Sequence, residues 1–274
     1  MKTFTLSLKE LGYPVNGGTL TAYVAEEPFD FSTPSWTRPA ILIAPGGGYE
    51  FTSKREAEPV AFEFLARGFH AFVLNYQVAK DDVRYPDQLL QIASAVDCIK
   101  ARAEEWRIAP DKVFAVGFSA GGHLVGNLAI AHQRIAEISG KALNCKPTAV
   151  GLCYPVISRA FKYQQTHENL LQGYTDEAKA ELYKEVNLDE NVSKDTPPAY
   201  IWTTATDSVV PAQNALSFAM AMANNGIPYE LHVYASGEHG LSCATAEVNE
   251  AQVEHAKCVH GWLDQCVAFF QKYL

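Results

Sequence analysis

Gly117-Phe118-Ser119-Ala120-Gly121-Gly122 stands at the junction of two patterns. Before it, Lys112-Val113-Phe114-Ala115-Val116 is a short apolar run of the kind that forms a buried strand; after it, residues 120–132 read as a helix. G-x-S-x-G at a strand-to-helix junction is the sharp turn that lifts a serine hydroxyl above a sheet edge. A serine held in such a turn leaves no room for Cβ atoms at positions 117 and 121. Gly122 lets the helix sit close to the strand. The bare pattern would occur by chance roughly once in ten chains of this length. A flexible Gly/Ser turn without chemistry is therefore the competing reading, and partners elsewhere in the chain have to decide.

The rest of the chain supplies the sheet. Strand candidates at 3–8, 19–24, 40–44, 71–76, 112–118, 149–154, 199–204 and 229–234 alternate, after the first two, with helical patterns. That is the sign of βαβ units and a mostly parallel eight-stranded sheet with helices on both faces, an α/β fold. The first two strands flank Asn16-Gly17-Gly18 with no helix between them, which predicts an antiparallel hairpin at the sheet edge. Helices are expected at 57–66, ended by Gly68, and at 88–106. Ala215, Phe218, Ala219, Met222 and Ala223 form one apolar face, capped by Asn224-Asn225-Gly226. Val259, Trp262, Leu263, Cys266, Val267 and Phe270 repeat that spacing in a C-terminal helix. One stretch breaks the rhythm: residues 158–196 are polar, carry a helix pattern at 175–185, and hold Phe161, Tyr163, Tyr174 and Tyr183. This insertion reads as a small helical cap over the carboxyl ends of the strands; an oligomer contact or a solvated excursion are the other readings.

The chain of 274 residues, 48% of them hydrophobic, is long enough for one large domain spanning 1–274. A net charge of −9 argues against nucleic acid and against an anionic membrane as partners. The N-terminus alternates apolar and polar residues and reaches Lys9-Glu10 without the apolar stretch of a signal peptide, so a cytoplasmic location is expected. Six cysteines scattered through apolar segments, with no C-x-x-C pair, read as reduced, mostly buried thiols; no metal site is expected from them.

A serine hydroxyl is a poor nucleophile unless a base takes its proton and an acid holds that base. Of the eight histidines, His239 in Ser236-Gly237-Glu238-His239-Gly240 lies on the loop after the last strand, at the edge where the turn presents Ser119. His255 and His260 belong to the terminal helix, His70 and His132 fall near helix ends, and His123 is too close to Ser119 in sequence. The acid belongs after the preceding strand, which selects Asp207; an N-cap is its other reading, Asp189 is the runner-up, and Glu238 cannot turn back on its neighbour. For an anionic intermediate, Pro45-Gly46-Gly47-Gly48-Tyr49 offers unobstructed backbone N–H groups at Gly47 and Gly48, joined by that of Ala120. A phosphate loop is the rival reading there, but no G-K-[ST] follows.

With Pro45-Gly46-Gly47-Gly48-Tyr49, Arg55-Glu56, the Ser119 turn, Pro197-Pro198 through Asp207 and Glu238-His239-Gly240 in place, the chain resembles the α/β-hydrolase esterase/lipase family. It is most similar to its bacterial acetyl-xylan and carbohydrate esterases. Many members have a histidine where Pro45 stands, so the loop must be steadied differently here. The resemblance implies a serine carboxylesterase acting on a small-molecule ester of a short acyl group, such as acetyl groups on carbohydrates, with no cofactor and in many members a homo-oligomer. An amide hydrolase, arylformamidase-like or a small peptidase, would share the same triad. A non-catalytic binding or scaffold protein on the same fold is the remote alternative.

Overall fold

The computed structural model describes residues 1–25, 35–162, 164–250 and 253–274; Tyr163, one of the aromatics noted above, lies outside them. Eight strands form one sheet in the order β1-β2-β4-β3-β5-β6-β7-β8. They are β1 (Lys2–Ser7), β2 (Thr19–Val24), β3 (Arg38–Ala44), β4 (His70–Asn75), β5 (Ile108–Phe118), β6 (Val150–Cys153), β7 (Ala199–Thr204) and β8 (Tyr229–Tyr234). β1 and β2 make the expected antiparallel edge hairpin, β2 also runs antiparallel to β4, and the remaining pairs are parallel.

The apolar runs of β3 and β5 are explained by burial on both faces. Leu42 and Ala44 of β3 and Val113 and Ala115 of β5 join the core on one face; Ile41, Ile43, Phe114 and Val116 join the core on the other. The first face is covered by α2 (Asp87–Ala101), α3 (Ala120–Ala131) and α7 (Gln213–Asn224), through side chains such as Ile92, Leu124 and Phe218. The second is covered by α1 (Glu58–Ala66) and α9 (Trp262–Gln271), where Phe64, Trp262 and Phe270 are fully buried. Each such side chain stabilises the fold by about 1.5–3 kcal/mol.

Boundaries shift where local geometry overrides periodicity. α2 stops at Ala101, short of the expected 106: the chain turns so that Ile108 N–H donates to the Ala103 carbonyl at 2.7 Å, while Trp106 still packs on Phe4 and Phe72. α9 begins at Trp262 because Gly261, at φ 98°, breaks it from the preceding turn. His70 opens a strand instead of lying at a helix end.

The 158–196 segment carries α5 (Gln165–Leu170) and α6 (Asp176–Val186) between β6 and β7. Thr175 caps α6 by accepting from Ala178 N–H, with Asp176 and Glu177 favourably placed in its first turn. Leu170, Leu171, Val186 and Leu188 are buried against the main core, so the segment is packed down. The short helix α4 (Ile135–Ser139) and the single turn α8 (Val253–Ala256) complete the described helices. All six cysteines are free thiols, five buried and Cys258 exposed. Among the described residues, no helix is long and apolar enough to cross a membrane.

Candidate active site

The turn between β5 and α3 is as sharp as its glycines require. Ser119 sits at φ 53°, ψ −117°, a conformation that costs a residue with a Cβ about 1–3 kcal/mol. A Cβ on Gly117 would collide with the Gly121 carbonyl, and one on Gly121 with the carbonyl oxygens of Ala44 and Pro45. Gly122 makes room chiefly for the chain leaving β6, since its Cβ would come 2.9 Å from that of Pro155. Ser119 N–H donates to the Cys153 carbonyl at 3.0 Å, and the Ser119 carbonyl accepts from His123 and Val156, at 3.0 and 3.2 Å. The strained residue is thus fixed by β6, the chain leaving it, and the first turn of α3.

Three loops at the carboxyl edge of the sheet bring Ser119, His239 and Asp207 together. His239 Nε2 lies 2.9 Å from Ser119 Oγ, and His239 Nδ1 lies 2.7 Å from Asp207 Oδ2. The other Asp207 oxygen, Oδ1, accepts from Val209 N–H at 2.9 Å and Val210 N–H at 2.8 Å. The Asp207 side chain is 1% exposed and that of His239 18%, so the carboxylate acts on the ring out of water while the ring reaches the surface. Asp207 ties its own loop and contacts the imidazole, whereas the helix N-cap that is its other reading is not formed: α7 begins at Gln213 behind Ala212, with no side-chain cap. With the Nδ1 proton donated to Asp207, Nε2 is left to accept from Ser119. Asp189 lies in the short turn Leu188–Glu190 beside α6, and Glu238 is exposed.

The histidine loop is tied at both ends. Thr204 and Thr206 donate through their hydroxyls to the Gly237 carbonyl, at 2.8 and 3.0 Å. Arg55 donates to the carbonyls of Gly240 and Val248 and to Asn249 Oδ1. The Tyr154 ring meets that of His239 edge-on, 5.1 Å between centroids.

The glycine loop lies across the turn. Gly46 is needed for close approach, since a Cβ there would sit 3.0 Å from that of Ser119. Gly47 and Gly48 take φ 126° and 63°, values that favour glycine. Both border, with Ser119 and His239, a cavity of about 330 Å³. Ala120 is fully buried at the first position of α3. In place of the missing histidine at position 45, the loop is held by Glu56, whose Oε2 accepts from Gly46 N–H at 2.8 Å, and by Tyr76, whose hydroxyl donates to the Pro45 carbonyl at 2.6 Å. The insertion reaches the same cavity: Gln165, Thr166 and Asn169 of α5 border it, and Asn169 donates to the Gly48 carbonyl at 2.8 Å.

Two buried histidines, His123 and His167, have partners that the sequence does not disclose. His123 has structural partners: the Tyr49 hydroxyl at 2.9 Å on Nδ1 and the Val186 carbonyl at 2.8 Å on Nε2, which joins the glycine loop, α3 and α6. His167 of α5 packs edge-on against it, ring centroids 5.2 Å apart. Burial pushes His123 down to about 4, and burial with the neighbouring His123 and Arg159 pushes His167 to about 3. Unfolded, both would titrate near 6.5. Their contribution to stability is thus complete above pH 6.5 and lost as pH falls toward the folded values, because the unfolded chain binds more protons there, up to about 1.4 kcal/mol per pH unit for each ring. Thermal melts should show Tm falling between pH 7 and 4.5, and His167→Phe should flatten that slope; equal slopes in the two proteins would refute the assignment.

The comparisons bear on the family and the fold. A family model described as BD-FAE matches residues 31–222. Over 220 residues the chain is 34% identical to a protein named endo-1,4-beta-xylanase B from Butyrivibrio fibrisolvens, a match covering 77% of this chain and 33% of that protein. It is 30% identical over 250 residues to an acetylxylan esterase from Xylanibacter ruminicola, covering 89% and 47%. The chain thus spans between a third and about half the length of these two curated relatives. Among solved structures, the carboxylesterase Cest-2923 from Lactobacillus plantarum WCFS1 superposes with a TM-score of 0.85 at 27% identity, covering 99% of this chain and 98% of that one.

Proposed function

The chain belongs to the BD-FAE family of α/β-hydrolases, and from that premise we propose that it is a serine carboxylesterase removing short acyl groups, acetyl foremost, from carbohydrate esters. The observation that carries the reading is the unbroken hydrogen-bond chain from Asp207 through His239 to Ser119, opening on a cavity beside the glycine loop. Ser119 Oγ attacks the ester carbonyl while His239 Nε2 takes its proton, and Asp207 stabilises the imidazolium that forms. The carbonyl oxygen, now anionic, accepts from the backbone N–H groups of Gly47, Gly48 and Ala120; loss of one such donor typically costs about 10²–10³ in turnover. His239 returns the proton to the departing alcohol, leaving an acyl group on Ser119. A water, deprotonated by His239, then attacks that acyl group, the acid departs, and the proton goes back to Ser119 Oγ.

The substrate side rests on size and polarity. A cavity of about 330 Å³ lies at the small end of ligand sites, and Glu50, Gln165 and Asn169 on its border can hydrogen-bond sugar hydroxyls. The place of α5 in that border supports the insertion as a cap over the site. The free thiols support a reducing, cytoplasmic setting. The deciding experiment is kcat/KM over p-nitrophenyl acetate, butyrate and octanoate, acetylated xylo-oligosaccharides, aryl formamides and short peptides. Acetyl esters are expected to lead, with octanoate at least about tenfold lower, the order of discrimination a few methylenes produce; a lead for formamides or peptides would replace the ester reading with the amide one.

A further inference from the structure

We infer that Glu56 is a positioning residue that, through Tyr154, holds the oxyanion loop and the histidine loop in one register; the inference rests on the esterase reading. Glu56 is 4% exposed, and both of its oxygens are used. Oε2 accepts from Gly46 N–H at 2.8 Å, fixing the peptide that leads into Gly47 and Gly48. Oε1 accepts from the Tyr154 hydroxyl at 2.7 Å. Tyr154 is buried at φ 36°, and its oxygen accepts in turn from Ser242 N–H at 2.9 Å, three residues beyond His239, while its ring packs against the imidazole. One carboxylate therefore sits between the group that would bind the developing oxyanion and the loop that carries the base.

The turn around it acts on the same two loops. Arg55 grips the histidine loop through Gly240, Val248 and Asn249, and the Arg55 carbonyl accepts from Ser242 Oγ at 2.5 Å. Ser53 N–H donates to the Gly46 carbonyl at 2.9 Å, so residues 53–56 bind the glycine loop from both sides of Gly46. A buried carboxylate is costly to desolvate, and packing alone would be served at least as well by an apolar side chain. What only the carboxylate supplies is two acceptors with no donor, matched to one N–H and one O–H that must stay a fixed distance apart. Glu56→Gln offers one acceptor and one donor, so with its oxygen kept on Gly46 N–H its amide NH₂ meets the Tyr154 hydroxyl, which must turn its own proton elsewhere and accept from the amide as well as from Ser242 N–H.

The test compares wild type, Ser119→Ala, Glu56→Gln, Tyr154→Phe and the Glu56→Gln/Tyr154→Phe double variant. Folding is checked by Tm and, in the proteins that keep Ser119, by stoichiometric labelling of that residue with a phosphonate. Glu56→Gln is expected to lower kcat for p-nitrophenyl acetate on the order of 10²-fold, as for a lost oxyanion donor, with KM within about threefold. Binding of a phenylboronic acid, which forms a tetrahedral anion on the serine, should weaken in step with kcat. Tyr154→Phe should move the same quantities, and the double variant should be no worse than Glu56→Gln because both act in one network. A folded Glu56→Gln with kcat within twofold of wild type, or with kcat lost and boronate affinity kept, overturns the assignment. If Glu56→Gln does not fold, Tyr154→Phe decides by the same criteria. A wild type inert toward every ester instead overturns the esterase reading, a separate outcome.

Discussion

Ser119→Ala is expected to lower kcat for p-nitrophenyl acetate by roughly 10⁴- to 10⁶-fold while leaving Tm within about 4 °C of wild type. The two halves of the expectation have different causes. Activity is expected to collapse because the proposed chemistry makes Oγ, 2.9 Å from His239 Nε2, the nucleophile, and no other hydroxyl is hydrogen-bonded to that nitrogen among the described residues. What survives is the glycine loop and the cavity, which still polarise a bound ester and give the residual rate over water. Stability changes little because alanine keeps the Cβ, so the strain at φ 53° is neither relieved nor increased. The lost hydrogen bond at a partly open site is worth about 0.5–1.5 kcal/mol. Steady-state assays on variant and wild type purified in parallel check it; a variant rate within tenfold of wild type would place the chemistry elsewhere.

The sequence carried the parts of this site that are fixed by local rules. G-x-S-x-G is legible because the turn forbids Cβ atoms at Gly117 and Gly121, and that constraint acts within five residues. Asp207 and His239 are legible because each follows a strand whose periodicity is plain, and the topology of a parallel sheet puts all such loops at one edge. Glu56 belongs to the Arg55-Glu56 motif, yet nothing in that pair reveals a buried carboxylate, since charged residues are ordinarily solvated. Its role exists only once β6 delivers Tyr154 to its side. His123 is too near Ser119 in sequence to serve as its base, and its partners, Tyr49 and Val186, are distant in sequence. The share of α5 in the cavity was equally hidden, because a polar insertion has no period that says which face it turns toward the sheet. Local sterics and element order were readable; long-range polar pairings were not.

The contact between Asp207 and His239, the long-range pairing that element order did disclose, depends on one atom type and sets the second large expectation. Asp207→Asn should lower kcat by about 10⁴-fold with little change in KM, a loss rooted in the tautomer of His239 rather than in a displaced ring. Oδ1 of Asp207 already accepts from two backbone N–H groups, those of Val209 and Val210. An asparagine in the same place must turn its carbonyl oxygen to those donors, since turning the amide NH₂ there would set donor against donor and leave two N–H groups without acceptors, at about 1–3 kcal/mol each. Its NH₂ then faces His239 Nδ1, where an N–H donor now meets a nitrogen that must accept. The imidazole responds by carrying its proton on Nε2, which points it at Ser119 and leaves no lone pair to take the serine proton. The backbone pairing of the Asp207 loop thus forces the wrong tautomer on the base. Two measurements separate this from simple misfolding. Imidazole ¹⁵N shifts should show the neutral ring protonated on Nδ1 in the wild type and on Nε2 in the variant, and activity should recover partially at high pH, where hydroxide or the serine alkoxide bypasses the base. An Asp207→Asn enzyme with the wild-type tautomer, or with kcat within tenfold of wild type, would mean that the 2.7 Å contact orients the ring without governing its chemistry.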